Sequence, residues 1–359
     1  MAKVLMKGNE AIGEAAVRAN CLNYFAYPIT PQSEVAEYLS RRLPEVGGNF
    51  LQGESEVAVG YMLFGASASG VRVFTTSSSP GISLMSEAIS YIAAGECPVV
   101  LVNIMRSSPG LGGILPSQGD YFQATKGGGH GDYRLMVLAP NSVQEAVTMV
   151  MEAFNLAEKY RNPVMIMGDG LIGQMMEPVE FPEDIPNTPS NKDDWATNGM
   201  EFRKSNERNL VKTLCLDGKT LHEKNMRLKA KYERMAKEDV RFETYNTDTD
   251  YEILLVSYGT TSRVCRTAID NMKAKGVKVG LLRPQTLFPF PMEAVREAAL
   301  KPSCKAVISV ELSVGQMVED VERAVLGARP VIWWGLSGGE VPLPEDLEDF
   351  VMETIAANK

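Results

Sequence analysis

Apolar positions along the first half of the chain alternate between two periods. Residues 10–19 and 33–42 carry hydrophobic side chains three and four apart, the spacing of an amphipathic helix. Between them, residues 24–26 form a short predicted strand running into the turn Tyr27-Pro28-Ile29-Thr30-Pro31. Residues 71–75 are a β-branched run feeding a Ser-rich turn, SSSPG, with a helix predicted over 83–93. Residues 99–104 (VVLVNI) are almost wholly apolar, as expected of a strand covered on both faces. Residues 135–139 and 164–167 repeat that texture on either side of a helix predicted over 142–158. Such strand–helix alternation predicts a parallel, doubly wound sheet.

The texture changes between Glu177 and Asp250. Prolines cluster first (Pro178, Pro182, Pro186, Pro189), followed by a polar stretch and the charged segment HEKNMRLKAKYERMAKEDVRFE. That segment reads as a solvated helix with few apolar anchors that links or braces two units. From Tyr251 the alternation resumes: strand EILLVSYG, helix 261–274, strand VKVGLLRP, then strands at 305–310 and 329–333. The expected organisation is a first α/β domain at 1–180, a linker with bracing helix at 181–249, and a smaller α/β domain at 250–359. The two share a class of fold but no internal repeat.

Composition narrows this picture mainly by exclusion. A length of 359 residues with 45% hydrophobic content suits two soluble domains. A net charge of −9 argues against nucleic-acid binding. The five cysteines (Cys21, Cys97, Cys215, Cys265, Cys304) are scattered with no CxxC pair. They point to a reducing compartment and leave no cluster of thiolates for an iron–sulfur centre. With only His130 and His222, no histidine-rich metal site is expected. No signal-peptide pattern and no run near the ~20 apolar residues of a membrane span is present, so the expected location is the cytoplasm, without membrane contact.

Several strand-end loops carry candidate chemistry, since open α/β sheets bind ligands there. In Tyr27–Pro31 two prolines frame one hydroxyl, so Thr30 either presents itself to an anionic group or caps the following helix. Glu54 and Glu56 open a glycine- and alanine-rich apolar segment. A carboxyl there can share a proton with a ligand nitrogen, or simply complement the helix dipole. Arg106 ends the VVLVNI strand beside a Ser/Pro/Gly loop, placed for a bidentate carboxylate clamp or for a surface salt bridge. The long loop from 110 to 132 is rich in glycine and holds His130, a candidate for orienting substrate or for satisfying loop carbonyls. Gly168-Asp169-Gly170 matches the opening of a diphosphate-binding motif. The downstream stretch lacks the asparagine pair a hard cation needs, so it reads as a strand-end turn.

Together, YPITP, ESEVAVG, TSSSPG, NIMRSSPGLG and GGGHGDYR, with SYGTTS, LLRPQTLFPFP and VELSVGQM in the second half, resemble the α-type subunit of the 2-oxoacid:ferredoxin oxidoreductases. The resemblance covers nearly the whole chain, and its loop after Arg106 is most similar to branched-chain members acting on 3-methyl-2-oxobutanoate. It implies a thiamine diphosphate pyrimidine-binding, transketolase-like domain followed by a transketolase C-terminal-like domain. Glu56 would contact N1′ of the aminopyrimidine, with Ile29 and Ser79 as further cofactor contacts. Thr30 and Arg106, with His130, would bind the substrate. A β-type partner would hold the diphosphate and Mg²⁺; a γ-type subunit and a small ferredoxin-like subunit with the iron–sulfur clusters would complete the complex. Coenzyme A would take the acyl group and ferredoxin the electrons. The alternatives are a 2-oxoglutarate or aryl-2-oxoacid member, or a non-catalytic scaffold subunit.

Overall fold

The computed structural model describes residues 3–183, 185, 191–199 and 207–357. Pro186 and Pro189 of the expected linker lie outside those residues. The chain opens with β1 (Val4–Lys7), α1 (Gly8–Arg18), β2 (Asn23–Ala26), α2 (Ser33–Glu45), β3 (Asn49–Gln52) and α3 (Glu56–Ala68). There follow β4 (Phe74–Ser77), α4 (Ser79–Ala94), β5 (Val100–Met105), α5 (Tyr121–Thr125), β6 (Met136–Leu138), α6 (Val143–Tyr160), β7 (Val164–Asp169), α7 (Gly170–Gln174) and β8 (Met176–Val179). The second half contributes α8 (Gly218–Glu238), β9 (Phe242–Tyr245), β10 (Ile253–Ser257), α9 (Gly259–Ala274), β11 (Val279–Pro284) and β12 (Thr286–Phe288). It closes with α10 (Met292–Ala299), β13 (Ala306–Glu311), α11 (Met317–Val325), β14 (Val331–Gly335) and α12 (Pro344–Ala357).

The expected parallel sheets are present. The first has the order β12-β6-β7-β5-β4-β2-β3, parallel except for β12 at its edge. Because successive strand side chains point to opposite faces, β5 feeds two cores at once. Val100, Val102 and Ile104 pack with α1, α2 and α6, while Leu101 and Met105 face α3 and α4. This is why VVLVNI shows no alternation of apolar and polar residues.

The second sheet, β14-β13-β10-β11-β9, is parallel apart from its edge strand β9. One of its faces is covered by α9 and α12. The other, with Leu254, Val256 and Val307, shares a single apolar core with Leu101, Met105 and Met85 of the first unit. The units are further tied where β12, from the second half, pairs with β6 in the first sheet. A joint core of this kind holds the two units in a fixed relation.

Two parts of the expected linker have definite structure. Pro178 lies in β8, which pairs antiparallel with β1 in a two-stranded sheet, where a proline costs no ladder bond to a third strand. The charged helix α8 anchors through Leu228, Tyr232 and Met235, spaced i, i+4, i+7, which are buried in the first unit's core.

Candidate active site

The connection after β2 leads to β3 on one side, whereas the connection after β4 leads to β5 on the other. The sheet's switch point therefore lies between β2 and β4, and the crevice beyond their C-terminal ends is the expected ligand position. Four of the residues singled out in the sequence meet there: Thr30, Glu56, Ser79 and Arg106.

Glu56 is the first residue of α3. Ser55 caps that helix, its hydroxyl accepting from the amide of Ala58 at 3.2 Å, and so fixes where the carboxyl emerges. Glu56 is 7% exposed, and among the described residues no lysine, arginine or histidine pairs with it. Its carboxyl lies against the start of α4: a Cβ at Gly81 would come within 2.9 Å of Glu56 Oε1 and 2.2 Å of Ser77 Oγ. Only glycine at position 81 leaves room for both groups.

The floor of the crevice is polar and incompletely paired. Ser77, Ser78 and Ser79 are all buried, and neither Ser77 Oγ nor Ser78 Oγ has a hydrogen-bond partner. Tyr24 and Thr76 hydroxyls bond at 2.7 Å, and Thr76 in turn donates to Gln32 Oε1, leaving the buried Gln32 Nε2 unpaired. A buried polar atom without a partner costs about 1–3 kcal/mol. Three of them at the ends of β2 and β4, with Ser77 Oγ beside Glu56, mark a place suited to a ligand's polar edge.

Arg106 is 7% exposed and holds two loops together. Its Nη1 donates to Thr30 O at 3.0 Å and Nη2 to Leu111 O at 3.1 Å, while the buried Nε is unpaired. Its backbone amide donates to Ser79 Oγ at 3.1 Å. The turn after it closes at Gly112, where φ is +60° and a Cβ would strike Ser107 O. Thr30 is exposed at the rim, and Ile29 beside it is half-buried.

His130 sits elsewhere. Its ring meets Tyr91 edge-on at 6.2 Å, and its carbonyl accepts from Ser90 at 2.6 Å. Tyr91 is twelve residues beyond Ser79 on α4, about 18 Å along the axis at 1.5 Å per residue. Asp169 of the GDG sequence caps α7, accepting from the amides of Leu171 and Ile172, so that segment is the strand-end turn expected. Burial pushes its carboxyl above the usual range. Among the described residues, no group of three or more His, Cys, Asp and Glu side chains is placed to hold a metal.

Sequence reasoning passed over Gln32 and Asp120. Asp120 is buried and accepts from Asn103 Nδ2 at 2.8 Å, with the Ser79 side chain nearby. Desolvation raises its pKa, against the opposing effects of those two partners and of the Arg106 charge. A signal for it existed: Asp120 is the single charged residue between Arg106 and Lys126.

A parallel sheet with a buried carboxylate at the switch-point crevice and a second α/β unit fused through a common core is in keeping with a thiamine diphosphate-binding, transketolase-like fold, and the family models bear this out. Residues 14–246 match the family model for the thiamine diphosphate-binding domain of pyruvate flavodoxin/ferredoxin oxidoreductase, and 251–347 match core domain II of pyruvate:ferredoxin oxidoreductase. The chain belongs to the 2-oxoacid:ferredoxin oxidoreductase family and is an oxidoreductase subunit of it.

Among its relatives, ketoisovalerate oxidoreductase subunit VorB of Methanothermobacter thermautotrophicus is 48% identical over 98% of both chains. The 2-oxoglutarate synthase subunit KorA of Methanocaldococcus jannaschii is 36% identical over 97% of this chain and 98% of its own. Both relatives are named as subunits, in keeping with a heteromeric enzyme. Among solved structures, the 2-oxoglutarate:ferredoxin oxidoreductase of Magnetococcus marinus, with 2-oxoglutarate, coenzyme A and succinyl-CoA bound, superposes at a TM-score of 0.85 with 28% identity. It matches 99% of this chain, which spans 65% of that longer one. An inactive split-gene transketolase tetramer shares the fold at a TM-score of 0.60 and 13% identity. None of the described helices is long and apolar enough to cross a membrane.

Proposed function

We propose that this chain is the α-type subunit of an enzyme that oxidatively decarboxylates a branched-chain 2-oxoacid, 3-methyl-2-oxobutanoate, to its acyl-CoA, with ferredoxin as electron acceptor. The observation that carries the reading is the buried Glu56, without a partner among the described residues, set beside the unpaired Ser77 hydroxyl at Gly81. These residues fit an aminopyrimidine ring, which offers ring nitrogens to a carboxyl and to hydroxyls. The substrate assignment follows the 48% identity to the ketoisovalerate subunit, against 36% to the 2-oxoglutarate one.

Glu56, with Ile29 and Ser79, would hold the pyrimidine end of thiamine diphosphate, the Glu56 carboxyl being the group that could share a proton with its N1′. When bound, the cofactor supplies a nucleophilic carbon and an electron sink for decarboxylation. Proton-transfer assistance from a positioned carboxyl is worth ~10²–10⁴-fold in rate. Arg106 uses two of its five N–H groups on carbonyls, which fixes the guanidinium, and keeps Nε and the remainder for the substrate carboxylate. Thr30 lies at the rim beside it. His130, a helix length away, stays outside this set.

The diphosphate and its Mg²⁺ are assigned to a β-type partner: the stretch after the GDG turn lacks the asparagine pair of the full motif, and the helix cap made by Asp169 Oδ1 supports that reading. That partner covers the crevice, whose flanking helices expose Val57, Tyr61 and Leu84. A γ-type subunit and a ferredoxin-like subunit with iron–sulfur clusters carry the two electrons away, and coenzyme A takes the acyl group. A panel of 2-oxoacids on the assembled complex, read by viologen reduction, tests the assignment. The branched-chain acid should give the highest kcat/KM; a preference for 2-oxoglutarate would overturn the substrate, and full activity of Glu56→Gln the mechanism.

A further inference from the structure

The loop from Arg106 to α5 has two ends that serve different units. Its head belongs to the crevice: Arg106 reaches Thr30 and Leu111, and Ser107 N donates to Leu115 O at 2.9 Å. Its tail is seated in the second unit. Gln118 N donates to Leu312 O at 2.8 Å, Gln118 Nε2 to Tyr258 O at 2.9 Å, and Leu312 N to Gln118 Oε1 at 2.9 Å. Tyr121 OH donates to Asp320 at 2.6 Å, Phe122 N to Gln316 Oε1 at 2.8 Å, and Gln316 Nε2 to Gly119 O at 2.6 Å.

Within that tail Asp120 turns back to the first unit. Its neighbours Gly119 and Tyr121 bond the second unit, while its own carboxyl accepts from Asn103 of β5, the strand that leads into Arg106. Asp120 therefore ties the docked tail to the strand that leads into Arg106, and it does so in a buried setting.

We propose that Gln118 and Asp120 are positioning residues that set the substrate-binding arginine: docking of the second unit places Asp120, and Asp120, through Asn103, holds the end of β5 and with it Arg106 in register. The proposal rests on the assignment of Arg106 to the substrate carboxylate. The second unit so acquires a part in substrate affinity although it lends no side chain to the crevice.

Steady-state kinetics of the assembled complex test it. Asp120→Asn keeps the size of the side chain and one acceptor but loses the charge. It should raise KM for the 2-oxoacid about tenfold, with a smaller fall in kcat and no change in KM for coenzyme A. Tyr121→Phe, which removes one hydroxyl on the docking side, should raise the same KM about threefold. Because Asp120 acts through Arg106, adding Asp120→Asn to Arg106→Lys should move KM less than twofold further, a non-additivity that a general loss of folded enzyme does not produce. If Arg106→Lys leaves KM unchanged, the assignment of Arg106 fails. If Arg106→Lys raises KM while Asp120→Asn and Tyr121→Phe do not, or if all KM values and kcat shift together, the positioning role is overturned.

Discussion

The chain contains two parallel α/β units, and the strand-end crevices of the two have opposite character. In the second unit the crevice at the ends of β10 and β13 is full. Gln118 enters it from the first unit and meets Tyr258, Thr261 and Leu312. Beside it Glu311, completely buried, accepts from the hydroxyls of Ser309 and Ser313 and from the amides of Gln316, Met317 and Val318. In the first unit the crevice at β2 and β4 keeps Ser77, Ser78 and Gln32 with atoms unpaired among the described residues, Ser77 beside Glu56. Both units carry a glutamate in the position where such folds bind ligands. The difference lies in the donors: Glu311 receives five from the protein, whereas Glu56 receives none among the described residues, which is where the proposed ligand would act.

Glu56→Gln is the substitution expected to have the largest effect. Oxoacid-dependent viologen reduction should fall by ~10²–10⁴-fold while subunit assembly, followed by gel filtration, persists. Glu311→Gln should do the reverse, since an amide sets its own N–H₂ against an array of donors. A loss of about 3 kcal/mol in stability, seen as a lower Tm, is expected with activity per folded molecule retained. Were Glu311→Gln to abolish turnover without lowering Tm, the two crevices would not differ as argued.

Gly81→Ala places a methyl group against Glu56 and Ser77, and should cost roughly tenfold or more in kcat through the displaced carboxyl. Arg106→Lys replaces a planar fork by a point charge and should raise the 2-oxoacid KM about tenfold, about 1.4 kcal/mol. Ser77→Ala should change the least in stability. It removes a hydroxyl that has no partner, so Tm should stay within a degree or two or rise, whereas cofactor affinity measured on the assembled complex should weaken. A marked fall in Tm would show that the hydroxyl is already satisfied within the protein.

Hydrophobic periodicity made the layered architecture readable, because β5 and β7 are buried on both faces and α1, α2 and α6 each present one apolar side. It misplaced the segment that matters most. The strand predicted at 71–75 lies at Phe74–Ser77, and the helix predicted from 83 begins at Ser79. Thr75, Thr76 and Ser77 are buried yet polar, so an apolar-strand template ends too early, and Pro80 at the start of α4 was the unused signal. The short edge strands β1, β3, β8, β9 and β12 escaped because three or four residues carry too little pattern to register.

Residue type and order by themselves determined the α/β class, the family and the presence of Glu56, Thr30 and Arg106 on strand-end loops, since periodicity and motif spacing are local properties. Which of those loops share one crevice was decided only by the tertiary structure. The switch in strand order brings Thr30, Ser79 and Arg106 to Glu56, and the docking of one unit on the other fills the second crevice with Gln118. The reason is physical: pairing of buried polar atoms is settled by neighbours tens to hundreds of residues away, and no local pattern records which of them will be left without a partner.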